Sequence, residues 1–98
     1  MSTIESRIYD ANRAKEVLEN EAFQGAFADI EKEVFERWQN SPSTETQARE
    51  RLWTYQFLLK ELKKNLTTRL ETGKLAELDL RHKQTLAERA KNLIHPFG

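Results

Sequence analysis

Apolar side chains recur at steps of three and four through most of the chain, a period that winds into helices rather than strands. The dominant stretch is 48–70, where Ala48, Leu52, Tyr55, Leu59, Leu62, Leu66 and Leu70 fall on one side of a helix. Trp53 and Phe57 lie on the opposite side, in its first half only. Two apolar faces at one end and one at the other predict two neighbours for the first half and one for the second.

Upstream, Ser2-Thr3-Ile4-Glu5 has the spacing of a capping box. Ile4, Ile8, Ala11 and Leu18, with Ala14 beside them, make the narrow stripe of a first helix. Asn20 is expected to break that helix and cap the next. Helix two carries Phe23, Phe27, Ile30, Val34 and Trp38 on one face, with an exposed Glu33–Arg37 pair elsewhere. Phe35 points off this stripe, towards helix one or a partner. Residues 39–44 read as a loop, because Pro42 cannot continue a helix and Thr44 with Gln47 offers another capping box. So short a connection makes helices two and three antiparallel neighbours.

Helix three is expected from about Glu45 to Thr72, where Gly73 is either a helix stop or a point that a continuous helix passes through. The continuous or slightly bent helix is favoured, because Thr72-Gly73-Lys74 is thin for a loop. Beyond it Leu75, Leu78, His82, Leu86 and Leu93 form a stripe turned by more than a right angle from Leu59–Leu70. His95-Pro96-Phe97-Gly98 ends the helix near Ile94.

The expected fold is all-α: an antiparallel helical hairpin with a long third helix, three to four helices in total, assembling as an oligomer. It forms one domain, residues 1–98, made of two acidic helices (1–40), a long central helix (44–72) and a basic helical arm (73–98). Composition points the same way. Only 38% of residues are apolar and 33% are charged, so a chain of this size buries a modest core and self-association or a partner is expected. Phe35, Trp53, Phe57, Leu75, Leu78, Leu86 and Leu93 are the candidate protein interface.

A formal net charge of zero hides a gradient: residues 1–40 carry nine acidic and five basic side chains, and residues 60–98 the reverse. Complementary packing of an acidic helix pair on a basic one explains this better than nucleic-acid binding. Lys60, Lys63, Lys64 and Lys74 do share about one quadrant of an ideal helix and are the candidate phosphate contacts. Neither a helix-turn-helix pattern nor interleaved aromatics accompany them, so nucleic acid is a partner not favoured. With no cysteine, thiolate chemistry and disulfides are excluded. Asp79 and His82 stand one turn apart but lack the second set a carboxylate–histidine metal site needs. Gly25, Gly73 and Gly98 are isolated, so no phosphate loop is present. The expectation is no catalytic, metal or cofactor residues, and no enzyme. No apolar run reaches the roughly 18 residues of a membrane span, and no signal-peptide core is read at the N-terminus, so no membrane partner is expected.

The blocks RAKEVLENEAFQGAFADIEKEVFERW (Arg13–Trp38), RERLW (Arg49–Trp53) and ETGKLAEL (Glu71–Leu78) together resemble a family of small helical proteins encoded by tailed bacteriophages. The family's position corresponding to Ala22 often looks like proline, consistent with a helix start near Asn20. Its members are similar to hypothetical proteins lying among virion and DNA-packaging genes, and the resemblance brings no catalytic residues. It implies a phage origin and a non-enzymatic role. The expected location is the host cytoplasm, and whether the protein also enters the virion is left open by the sequence. Protein partners would be further copies of the chain or phage structural proteins. The alternative is a phage-encoded inhibitor of a host enzyme or defence protein, and the second alternative a non-specific DNA-binding accessory.

Overall fold

Three helices make up nearly all of residues 3–94, the part of the chain that the computed structural model describes: α1 (Ile4–Glu19), α2 (Glu21–Asn40) and α3 (Thr46–Ile94). No strand occurs among the described residues. Thr3 opens α1, its Oγ1 accepting the Ser6 N–H at 3.1 Å. The cap thus sits at Thr3; Ser2 lies outside the described residues.

Asn20 is a single extended residue between α1 and α2, with φ −71° and ψ 120°. Its backbone N–H donates to the Val17 carbonyl at 3.2 Å, while its side-chain oxygen accepts from Phe23 N–H at 2.9 Å. One residue therefore ends one helix and begins the next. Gln24 ties the joint from outside, donating to the Leu18 carbonyl at 2.6 Å.

The turn that reverses the chain is 41–45, shorter than expected, because Gln39 and Asn40 remain helical. Glu45 N–H donates to the Pro42 carbonyl at 3.0 Å. Since α3 starts at Thr46, Thr44 belongs to the turn and not to a capping box. The exposed carbonyl end of α2 is met instead by Arg49, whose Nη1 donates to Trp38 O (3.1 Å), Ser41 O (2.9 Å) and Ser41 Oγ (2.8 Å). Its guanidinium also lies 5.1 Å from the centre of the Trp38 ring. A cation at a helix C-terminus satisfies orphan carbonyls and the negative end of the dipole together.

Both shorter helices lie along α3 and run against its direction: Trp38 meets Arg49, Phe27 meets Lys63, and Ala11 meets Gly73. The first part of α3 therefore has one neighbour, α2, its middle has the other, α1, and residues 83–93 are exposed. The expectation of two neighbours at the first end is overturned. The reason is the near-continuous run of α1 into α2: a joint of one extended residue does not fold α1 back beside α2.

Gly73 is helical with no positive φ, and α3 passes straight through it. A Cβ there would overlap Ala11 Cβ and stand 3.1 Å from the Arg7 carbonyl. The glycine thus lets α1 come close to α3, and Ala11, Ala14 and Ala76 on the two helices are buried. Among the described residues Phe27 is the only large side chain that is buried, and none that is buried is polar.

Ile30, Tyr55 and Leu62, expected in the core, are about half exposed. The reason is width: a helix with one neighbour covers a limited arc, and these three sit at its edge. At 49 residues α3 is about 74 Å long, so the molecule measures 81 × 25 × 18 Å with a radius of gyration of 22.3 Å. A compact chain of this length would have about 13 Å. Its accessible surface, 8202 Å², exceeds by roughly 2,400 Å² the ~5,800 Å² of a compact monomer of 11.5 kDa.

Candidate interaction surface

The side of α3 turned away from α1 and α2 carries a row of exposed apolar residues. Trp53, Phe57, Leu75, Leu78, Leu86 and Leu93 fall within about 80° of one another at ~100° per residue. Each is exposed, from 47% at Phe57 to 81% at Leu93. Trp53 and Phe57, one turn apart, stack with centroids 5.7 Å apart and planes at 11°. The stack is solvent-facing because α1 packs farther along α3 and cannot reach it.

Phe35 borders the same side of the molecule. It lines an open groove of about 440 Å³ with Ala28, Lys32, Gln56, Leu59 and Lys60. Lys60 follows Trp53 and Phe57 at i+7 and i+3, so groove and stack adjoin. The Phe35 ring rests 6.1 Å from Trp38 and is neither against α1 nor buried. All seven residues expected to form a protein interface are therefore surface residues.

A second apolar flank was not anticipated. Tyr55, Leu58 and Leu62 are exposed on another side of α3, and Val17 lines a shallow cleft with Leu62. Leu58 had a sequence signal, since it precedes Leu62 by one turn and follows Tyr55 by three residues. That period matched the core stripe closely enough to hide it.

The four lysines are all exposed and have different surroundings. Lys63 turns towards α2 and lies 5.5 Å from the centre of the Phe27 ring, a cation–π contact that also covers the one large buried aromatic. Lys60 edges the Phe35 groove, while Lys64 and Lys74 are exposed on α3. Asp79 pairs with Lys83 at 3.3 Å rather than with His82. Among the described residues no group of three or more His, Asp or Glu is placed to hold a metal ion, and no helix is long and apolar enough to cross a membrane. Arg13–Glu16 and Arg37–Glu33, both at 2.6 Å, are ion pairs between exposed neighbours on single helices. Such pairs contribute only about 0.3–0.5 kcal/mol each.

No protein-family model, curated protein or solved structure matches the chain.

Proposed function

We propose that this chain is a non-enzymatic, phage-encoded helical interaction protein, a virion structural or assembly accessory that acts through protein–protein contacts. In this reading α2 and the first half of α3 form a rigid antiparallel hairpin, and the molecule assembles as an oligomer or on other phage structural proteins. The observation that carries it is the exposed apolar row from Trp53 to Leu93 on a chain with far more surface than a compact monomer needs. Contiguous exposed apolar rows of this extent mark protein contacts. The phage setting comes from the blocks Arg13–Trp38, Arg49–Trp53 and Glu71–Leu78.

Mass spectrometry of purified particles, with light scattering of the isolated protein, tests the proposal. The expected result is the chain in the particle or in an assembly intermediate, and association above the monomer mass. Particles and intermediates free of the chain, with one host protein captured in stoichiometric amount, would replace this reading with that of an inhibitor.

A further inference from the structure

We infer that the outer face of α3 pairs with the same face of a second copy, in antiparallel alignment, with a two-fold axis between Thr67 and Thr68. This deepens the proposed self-association by naming its surface and register.

The face is defined by spacing. From Trp53 the steps are four, three, four, three, four, four, three and four, through Phe57, Lys60 and Lys64 to Thr67, then Glu71 and Leu75 to Leu78 and His82. Every one of these positions is exposed, and α1 and α2 occupy the other side. Read in order the row is apolar, basic, acidic, apolar, a sequence complementary to its own reverse. Antiparallel pairing about Thr67/Thr68 sets Lys64 of each copy against Glu71 of the other. It also sets Phe57 against Leu78, Trp53 against His82, and Lys60 against Leu75, over which a lysine stem can lie with its ammonium in water.

The alternatives are worse. A parallel pair places Lys60 on Lys60, Lys64 on Lys64 and Glu71 on Glu71. An antiparallel shift of one heptad either way brings Lys64 onto Lys64 or Glu71 onto Glu71. Like charges so placed disfavour each of these. The register centred on Thr67/Thr68 avoids these and lays the row on its own reverse, with Lys64 against Glu71 and Phe57 against Leu78; a half-heptad shift that pairs Lys60 with Glu71 breaks this match by setting Phe57 against Lys74.

Area agrees with one occupant of this size. A stable dimer takes about 600–1,000 Å² from each partner. The overlap from Trp53 to His82 is about 44 Å of helix, and the chain's surface excess of roughly 2,400 Å² accommodates it. Beyond the overlap, residues 83–93 of each copy extend alongside the 41–45 turn of the other.

Because the chain has no cysteine, the register can be tested by crosslinking. Two positions seven residues apart on one helix are about 10 Å apart, too far for a disulfide within one copy. Under mild oxidation of the dilute full-length Lys64→Cys/Glu71→Cys variant, the expected product is a covalent dimer, while Lys64→Cys alone and Glu71→Cys alone, which a parallel pair or a one-heptad shift would link like to like, should give little. Leu58→Cys/Asn65→Cys, with the same spacing on another side, should give little. In sedimentation equilibrium, Lys64→Glu or Glu71→Lys alone should weaken the dimer about tenfold or more, and the combined exchange should restore it. A dimer indifferent to the exchanges and crosslinking no better than the control would overturn the face while leaving the interaction-protein reading intact. A helical monomer at every concentration would overturn self-pairing altogether, and particle composition would then decide that reading by itself.

Discussion

The two internal glycines of the helices should respond in opposite senses to the same substitution. Glycine in a helix interior costs about 0.5–1 kcal/mol relative to alanine. A Cβ added at Gly25 meets nothing within 4 Å, so Gly25→Ala should recover that amount in full. At Gly73 the added Cβ would collide with Ala11 Cβ and press on the Arg7 carbonyl at 3.1 Å and Ala11 Cα at 3.4 Å. None of these is the tip of a flexible side chain, so α1 must move as a body, uncovering Ala14 and Ala76 with it. Overpacking of this kind costs about 1–3 kcal/mol, more where backbone must shift. Set against the gain in helix propensity, the net for Gly73→Ala is a loss of about 1–2 kcal/mol. Thermal unfolding followed by far-UV circular dichroism, at one fixed protein concentration, should raise the midpoint of Gly25→Ala by several degrees and lower that of Gly73→Ala by about as much. Ala11→Gly in the Gly73→Ala background separates close packing from a turn requirement. If the glycine makes room for α1, the pair should couple by about 0.5–3 kcal/mol and recover part of the loss. Stability of Gly73→Ala equal to that of Gly25→Ala, or additivity with Ala11→Gly, would refute the close approach.

Three further outcomes are expected. Arg49→Ala strips the α2 terminus of its charged donor and should cost about 1.5–3 kcal/mol in urea titration; Arg49→Lys, which loses the planar stack on Trp38, should recover only part of it. Asn20→Ala removes the acceptor for Phe23 N–H and should cost about 1 kcal/mol in the same titration, with Asn20→Ser near neutral. In hydrogen exchange under conditions that keep the protein monomeric, amides of residues 83–93 should exchange far faster than those of 66–76, since every one of the former is exposed and α1 covers the latter; equal protection would show the arm to be held by contacts absent from this fold.

Local chemistry was the legible part of this chain. Asn20 and Pro42 act through their own backbone neighbours, so the joint between α1 and α2 and the reversal after α2 could be placed from spacing. Ala11 and Leu18 likewise marked the inward side of α1. Gly73 was ambiguous for a physical reason: a glycine that ends a helix and one that admits a neighbouring helix look alike until the neighbour, here Ala11, is known. Arg49 could not be foreseen as a clamp, because two of its acceptors are backbone carbonyls, which carry no residue signature. Ile30, Tyr55 and Leu62 were assigned inward because periodicity gives the direction of a face and not the width a single neighbour covers. The outer row was legible residue by residue, but its continuity was not.

That continuity follows from the mismatch between helix and supercoil. A straight helix drifts by about 20° per heptad against a partner that follows a 3.5-residue repeat. From Leu52, near the turn, to Ala76, beside Ala11, the drift amounts to about 70°. The inward side therefore moves from the Leu52–Leu59 line towards Gly73 and Ala76, and the stripe beyond Gly73 stands on the opposite, outer side from Leu59–Leu70. Measured from Trp53 instead, Leu75, Leu78, Leu86 and Leu93 resume the same row after the polar interval of Lys60, Lys64, Thr67 and Glu71. The change of character at Gly73 thus does not mark an exchange of partners on one face. The inner face passes from α2 to α1 before Gly73, whereas the outer face keeps one direction along the helix. A helix with an uncovered row on a fixed side can meet one extended partner along that side without bending, and in the proposed pair the charge order of the polar interval would set the partner's direction.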